Sequence, residues 1–431
     1  MSLHQDVVCA FCGSLCDDLE VEVENNEIKK VKNVCAIGRN KIMHQQPHNM
    51  APLRVNGKEC SLDDAYNEAA RILTEAKAPI IYGLSSTTAE ANSEAVELAE
   101  LLNAAIDNPS SYCHGPGVLA RQHVGMSTCT LGEVKNRADL IVIWGANPME
   151  SHPRHFNQYS VMAKGMYVPD GRKGRKVVAI DVRPTMSSKN ADIFLQITPG
   201  SDFEIINVLR SLAKNLKLEG LTDESLVGGV PLANWRELVE MMKASHYGVV
   251  LFGIGLTQSR GKDLNIEHIL SLVDELNRYT RFYAIPMRGH ANVNGSNQVL
   301  VWRTGFPLAV NFYRGYPRFN PGEFSVFDML IRKEVDAAVI IATDPAAHLP
   351  QAAVKYLQSI PTILIDPIEN LVTPWANVVI PVAPAGIGTE GTYYRMDNVP
   401  LRLKKIIDFP CPSDYEVLHA IKERVSHVKN S

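Results

Sequence analysis

Apolar residues along this chain follow two alternating periods. Short unbroken apolar runs at 79–83, 139–145, 176–181, 249–253, 282–285, 337–342 and 362–366 read as buried strands. Between them apolar positions recur at helical spacing. Leu62, Ala65, Tyr66, Ala69, Ala70 and Leu73 form one stripe, opened by Ser61 and Asp64 in the arrangement of a capping box. A second amphipathic helix is expected over 88–105. Continuous apolar strands separated by helices predict parallel sheets covered on both faces. The expected fold class is therefore α/β, with two doubly wound parallel-sheet domains. Such sheets bind ligands beyond the carboxyl ends of their strands. The residues to read for function are thus the strand ends: Gly83, Gly145 with Asn147, Asp181 with Arg183, Gly253 with Gly255, Asp344 and Asp366.

The N-terminus breaks this pattern. Leu19, Val21 and Val23, the pair Asn25-Asn26, then Ile28 and Val31 read as a β-hairpin around a two-residue turn. Pro47 and Pro52 mark the loop that closes this module. Four of the eight cysteines lie within it, Cys9, Cys12, Cys16 and Cys35, spaced C-x2-C-x3-C-x18-C. The hairpin folds Cys35 back beside the first three. Thiols this dense serve jointly, as disulfides, a zinc site or an iron–sulfur cluster. Structural zinc more often uses two C-x2-C knuckles, and the second is missing here. Four thiolates with three clustered suit a cubane [4Fe–4S] cluster, and zinc stays the alternative on spacing alone.

Length and charge narrow the classes. A chain of 431 residues is long enough for roughly two to four domains. With 43 basic and 47 acidic residues, a formal charge of −4, no basic excess exists to neutralise nucleic-acid phosphates. No apolar run is long enough for a bilayer, and residues 1–6 carry no signal core, so the expectation is a cytoplasmic protein whose thiols bind metal. No G-x-G-x-x-G opens a helix, which leaves a plain dinucleotide fold unsupported.

Three further stretches carry chemistry. In Ser111-Tyr112-Cys113-His114-Gly115-Pro116-Gly117 the cysteine is expected at a loop or helix start, where a thiolate is favoured; a buried structural cysteine is the competing reading. Arg288-Gly289-His290 follows the 282–285 strand, and a glycine-flanked arginine suits a carboxylate, CO2-derived oxygens or phosphate. A structural loop arginine is at least as common. The loop Thr389-Glu390-Gly391-Thr392, with Arg395 beyond it, is rich in donors and suits an anionic ligand. His152-Pro153-Arg154-His155 is expected to contact a ligand or partner rather than a metal, and Cys60, Cys129 and Cys411 show no partner spacing.

Taken together, these residues resemble the molybdopterin oxidoreductase family over nearly the whole chain. The resemblance is carried by the four-cysteine motif, Gly145-Ala146-Asn147-Pro148, Asp181-Val182-Arg183-Pro184-Thr185, Pro199-Gly200-Ser201-Asp202 and Thr389-Glu390-Gly391-Thr392. It implies a [4Fe–4S] cluster on Cys9, Cys12, Cys16 and Cys35, and a tungsten or molybdenum bis(pyranopterin guanine dinucleotide) centre. By the same carry-over Gly145, Asn147, Asp181, Arg183, Asp202, Gly253 and Gly255 would line one nucleotide. Thr389, Glu390, Thr392 and Arg395 would approach the pterin. Cys113 and His114 look like the metal-ligating cysteine and adjacent histidine of formate dehydrogenases, with Arg288 orienting substrate.

The family's plan implies a cluster module at 1–55, a discontinuous pterin-binding domain at 56–112 and 292–431, and a nucleotide-binding domain at 113–291. Two departures stand out. The lysine expected two residues after the fourth cysteine is Ile37, leaving Arg39 or Lys41 to serve between cluster and pterin. The chain stops soon after the 389 loop, so the family's C-terminal β-barrel-like domain is expected from a separate, small D-type polypeptide. This split is similar to that of formylmethanofuran dehydrogenases. It implies CO2 reduction to formate for the first step of methanogenesis, an amidohydrolase-like partner of the A type and ferredoxin-like electron donors. The alternatives are another formate dehydrogenase of the family and a pterin-free electron-transfer scaffold.

Overall fold

The computed structural model describes residues 2–430, and the chain divides into two compact units. Unit 1 comprises 1–111, 290–395 and 400–431; unit 2 comprises 112–289 and 396–399. The cysteine-rich segment belongs to unit 1 rather than standing apart. Its strands Leu19–Glu24 and Glu27–Lys32 form the expected hairpin. Asn25 and Asn26 both take positive φ, 51° and 60°, as a tight two-residue turn requires and as asparagine tolerates. Strand Ser2–Val7 pairs antiparallel with the first of them.

Unit 1 is built on a nine-stranded sheet. Its parallel core runs Ala105–Asp107, Pro79–Gly83, Ala337–Ile341, Thr362–Asp366 and Val378–Pro381 in space. Strands Val310–Asn311 and Arg318–Phe319 extend one edge, and Arg54–Val55 and Lys58–Glu59 the other, all antiparallel. These two-residue strands are too short to leave a periodic signature. Helix Leu62–Glu75 carries the expected Ser61–Asp64 capping box. It packs with helices Ala89–Leu102 and Asp414–Asn430 over Ile81, Val339, Ile363 and Ile365. The second helix stops at Leu102, short of the expected 105. Asn103 adopts the left-handed conformation that ends helices, φ 52°, and Ala105 already begins a buried strand.

Unit 2 holds a five-stranded, wholly parallel sheet in the spatial order Ile193–Gln196, Lys176–Asp181, Leu140–Trp144, Tyr247–Phe252, Arg281–Pro286. Strand order reverses between Leu140–Trp144 and Tyr247–Phe252, and in unit 1 between Pro79–Gly83 and Ala337–Ile341. Such switch points open a crevice at the carboxyl ends of the strands, where doubly wound sheets bind ligands.

The unit 2 switch point is closed by glycines in backbone contact. Gly253 N–H donates to Trp144 O, and Gly255 N–H to Gly145 O, each at 3.0 Å. A Cβ on Gly253 would stand 2.4 Å from Gly145 O and 2.8 Å from Ala146 Cα. Backbone cannot yield as a side chain can, so Gly253→Ala is expected to destabilise by about 1–3 kcal/mol. An unchanged thermal midpoint would show that these strands part without strain.

Candidate active site

In unit 1 the four cysteines share one corner. Cys9 N–H donates to Cys16 O at 2.8 Å and Leu15 N–H to Cys12 O at 3.0 Å, which curls the loop. Cys35 caps helix Ala36–His44, its sulfur accepting from Gly38 N–H at 3.3 Å. Burial raises the Cys9 thiol far above its ordinary value, and Cys12, Cys16 and Cys35 each raise it further. A Cβ on Gly38 would meet Cys9 Sγ at 3.2 Å and Cys35 Sγ at 3.6 Å. Glycine there leaves room between two of the sulfurs. Among the described residues no three His, Cys, Asp or Glu side chains meet closely enough to hold a single metal ion. Four soft donors, Cys9 and Cys16 buried and Cys12 and Cys35 half-buried, around Gly38 nonetheless suit a polynuclear iron–sulfur group, whose positive charge would relieve the repulsion among ionised thiols.

Beside this corner a cavity of about 500 Å³ opens along the strand ends of unit 1. Ala10 and Phe11 of the cysteine loop line it, with Lys41 and His44 from helix Ala36–His44, Ser86, His290, Asp344 and Asp366. It lies at the unit 1 switch point, between the ends of Pro79–Gly83 and Ala337–Ile341. Burial pushes the Asp366 carboxyl up to about 7. Burial lowers His290, with His348 and Lys41 adding to it. The space, its buried carboxyl and the Lys41 ammonium fit a polar heterocycle such as a pterin. The Lys41 ammonium sits 5.7 Å from the Phe11 ring centroid; burial raises the Cys12 thiol, and the Lys41 charge offsets a small part of that rise. Arg39 is instead exposed beside Lys29 and Lys32, and Ile37 is 48% exposed. Asp344 and Asp366 are legible as strand ends and Lys41 as one of two candidates; choosing Lys41 over Arg39, and adding His44, needed the fold.

The late loop is held in unit 1 by Glu90, whose carboxylate accepts from Thr392 N–H at 2.9 Å and Thr392 Oγ1 at 2.8 Å. Glu390 pairs with Arg402 at 2.7 Å. Thr389 Oγ1 donates to Glu390 O at 3.3 Å. Arg395 is buried, its carbonyl accepting from Asn294 Nδ2 at 2.7 Å.

In unit 2 Cys113 closes the one-turn helix Ser110–Cys113, and His114 is the N-cap of helix Gly115–Val124. Thr257 Oγ1 donates to Cys113 O at 3.0 Å and Gln258 Nε2 to Tyr112 O at 2.9 Å. The turn begun by Gly253 and Gly255 thus holds the cysteine's backbone. The expected thiolate-favouring setting is corrected: burial pushes the Cys113 thiol up to about 11, and only Arg288 pulls it down. Half-buried at the junction of two helices, the sulfur loses more hydration than the helix N-terminus restores.

Arg288 follows strand Arg281–Pro286 and is only 2% exposed. Burial takes its guanidinium down to about 9, repulsion from Arg121 adding to this and Cys113 opposing it. Arg121, on helix Gly115–Val124, escaped the sequence reading; nothing in a lone helical arginine marks it. The other candidates follow neighbouring elements of the same unit. Asn147 Oδ1 accepts from Ser187 N–H at 3.1 Å and Ser187 Oγ at 2.7 Å, joining two strand-end loops. Asp181 accepts from Val182 N–H at 2.8 Å, and burial raises its carboxyl. Asp202 is buried and accepts from Trp144 Nε1 at 2.9 Å, while Arg183 is exposed.

The family model for molybdopterin oxidoreductases matches residues 54–410. The B subunit of the tungsten-containing formylmethanofuran dehydrogenase 2 of Methanocaldococcus jannaschii is 47% identical over 98% of this chain and 99% of its own. Its namesake from Methanococcus maripaludis is 43% identical over the full length of both. Among solved structures, the formyltransferase/hydrolase complex of Methylorubrum extorquens with methylofuran has a chain 24% identical at a TM-score of 0.72, covering 88% of this chain and 99% of that one. Acetylene hydratase from Pelobacter acetylenicus shares the fold at a TM-score of 0.71 and 13% identity, over 98% of this chain and 69% of its own. Two switch-point crevices, the matched domain and these full-length relatives agree, and the chain belongs to the molybdopterin oxidoreductase family, among the B subunits of formylmethanofuran dehydrogenases.

Proposed function

We propose that this chain is the subunit in which CO2 is reversibly reduced to formate at a tungsten bis(pyranopterin guanine dinucleotide) centre. The observation that carries the reading is the pairing, inside unit 2, of a half-buried cysteine with a desolvated arginine whose fields reach each other. When bound, the tungsten centre supplies two-electron redox chemistry and a [4Fe–4S] cluster supplies the electrons singly.

The chain's own residues divide the remaining work. Cys113 offers the soft sulfur ligand. Arg288, already stripped of water, binds formate or CO2 oxygens through its planar fork, and the low-dielectric setting strengthens that contact. His114, buried beside the cysteine, handles the single proton that accompanies two electrons in the step from CO2 to formate. Cys9, Cys12, Cys16 and Cys35 hold the cluster. Lys41, which lines the large cavity and whose charge reaches Cys12, takes the place between cluster and pterin where Ile37 cannot. Asp344, Asp366 and the 389–395 loop bind one pterin nucleotide, and Asn147, Asp181, Arg183 and Asp202 the other.

The partners follow from the same reading: a polypeptide supplying the C-terminal pterin domain, an amidohydrolase-like protein that condenses formate with methanofuran, and ferredoxin-like electron donors. Anaerobic purification of the complex tests it. Tungsten or molybdenum, about four irons assigned to this chain and pterin fluorescence after oxidation are expected. A chain without either metal and without pterin fluorescence rejects the reading in favour of an electron-transfer scaffold.

A further inference from the structure

We infer that His152 is a positioning residue for Arg288, its imidazole gripping the Arg288 carbonyl and tying that loop to the Asn147 strand-end turn. The inference rests on the proposed role of Arg288 in orienting formate or CO2.

His152 follows the short helix Pro148–Ser151 and is 2% exposed, as is Arg288. Its Nε2 lies 2.8 Å from Arg288 O. A carbonyl has no hydrogen to give, so Nε2–H is the donor and the tautomer is set. On the other side of the ring, Nδ1 accepts the Ser151 hydroxyl hydrogen at 2.8 Å, and the His152 N–H donates to Pro148 O at 2.8 Å, which holds the residue in the turn that Asn147 begins. Both ring nitrogens are engaged, and the His155 ring stands edge-on at 6.4 Å. The imidazole is therefore a fixed strut between two strand-end loops rather than a group facing a ligand. Burial lowers its affinity for a second proton, which keeps the ring in the neutral form.

Arg288 has reason to need such a strut. Regular pairing ends just before it, with Met287 N–H donating to Phe252 O at 2.8 Å. Gly289 follows, where a Cβ would meet nothing within 4 Å, so no side chain at 289 braces the Arg288 backbone from that side. The guanidinium meanwhile feels like-charge repulsion from Arg121. A long side chain amplifies any rotation at its own Cα, and a misplacement of about 1 Å at a reacting group costs on the order of a hundredfold in rate. Gripping the carbonyl removes that rotation and satisfies a backbone acceptor inside the protein.

The test uses the assembled complex. His152→Gln keeps an N–H at similar reach, whereas His152→Leu keeps bulk and loses the donor. For the leucine variant, KM for formate is expected to rise about tenfold or more with tungsten and iron content unchanged. The dissociation constant of azide, a linear anion with the electron count of CO2, should rise in parallel by calorimetry. The glutamine variant should recover to within about threefold of the wild type. Wild-type KM and azide affinity in the leucine variant overturn the inference, and so does a glutamine variant as impaired as leucine. If the leucine variant does not assemble, Ser151→Ala decides: it frees the far side of the ring, and an unchanged KM for formate overturns the inference. A wild-type complex without formate turnover rejects the proposed function itself, which separates the two failures.

Discussion

Cys113→Ser is expected to abolish formate oxidation and CO2 reduction while the iron–sulfur EPR signal persists. Serine is nearly the same size, so the junction between Ser110–Cys113 and Gly115–Val124 keeps its packing and the thermal midpoint hardly moves. What is lost is the soft sulfur, which a hard hydroxyl does not replace for a heavy, thiophilic metal. Changing mere neighbours of metal ligands costs about 10–100-fold in affinity or activity, so a ligand itself sets at least that loss. The cluster signal should survive because Cys9, Cys12, Cys16 and Cys35 belong to unit 1 and Cys113 to unit 2. Wild-type turnover in the serine variant would remove Cys113 from the metal site.

Arg288→Lys should lower kcat/KM for formate by roughly a hundredfold, the scale of losing one preorganised donor at a developing charge. The substitution retains a cation but not the planar pair of N–H groups that meets two oxygens at once. A second consequence concerns pH. Burial and Arg121 already bring the guanidinium down to about 9, and a lysine starts lower than an arginine. The same surroundings would carry its ammonium toward neutrality. A base with a depressed pKa is charged below that value and neutral above it. The residual activity of the variant should therefore fade as pH rises through the neutral range, where the wild-type arginine stays charged. A variant with near-normal kinetics and a wild-type pH profile would take Arg288 out of substrate binding.

Much of the fold was legible because its signals are local. The Asn25-Asn26 turn needs two residues at positive φ, and few residue types accept that. The Ser61–Asp64 box satisfies orphan N–H groups within one helical turn. Apolar runs such as Leu140–Trp144 and Ala337–Ile341 are buried on both faces and leave no polar alternation to mislead. Elsewhere the local signal was weak or overruled. Helix Ala89–Leu102 ends on the backbone preference of Asn103, hidden within an apolar stretch. Helix Asp414–Asn430 carries Val417, Leu418, Ile421 and Val425 on one face, a helical spacing diluted by the charged residues between them. The antiparallel edge strands exist through their neighbours' hydrogen bonds, not through any pattern of their own.

The site divides the same way. Residue type and spacing alone singled out the four cysteines, Cys113 with His114, and Arg288, because softness, charge and glycine neighbours are properties a residue carries wherever it sits. Strand-end position singled out Gly145, Asn147, Asp181, Gly253 and Gly255, since chain order predicts the carboxyl ends of parallel strands. Tertiary structure decided what each of these groups experiences. It half-buried Cys113 so that its thiol rises rather than falls, and set Arg121 near Arg288 from a helix with no motif. It turned the Gly253 pair into a backbone seam, put Lys41 rather than Arg39 on the large cavity, and pinned Arg288 with His152. Local sequence determines which donors and turns exist, because those depend on a residue and its near neighbours. Hydration, field and register depend on segments distant in the chain, and only the folded sheet order brings those segments together.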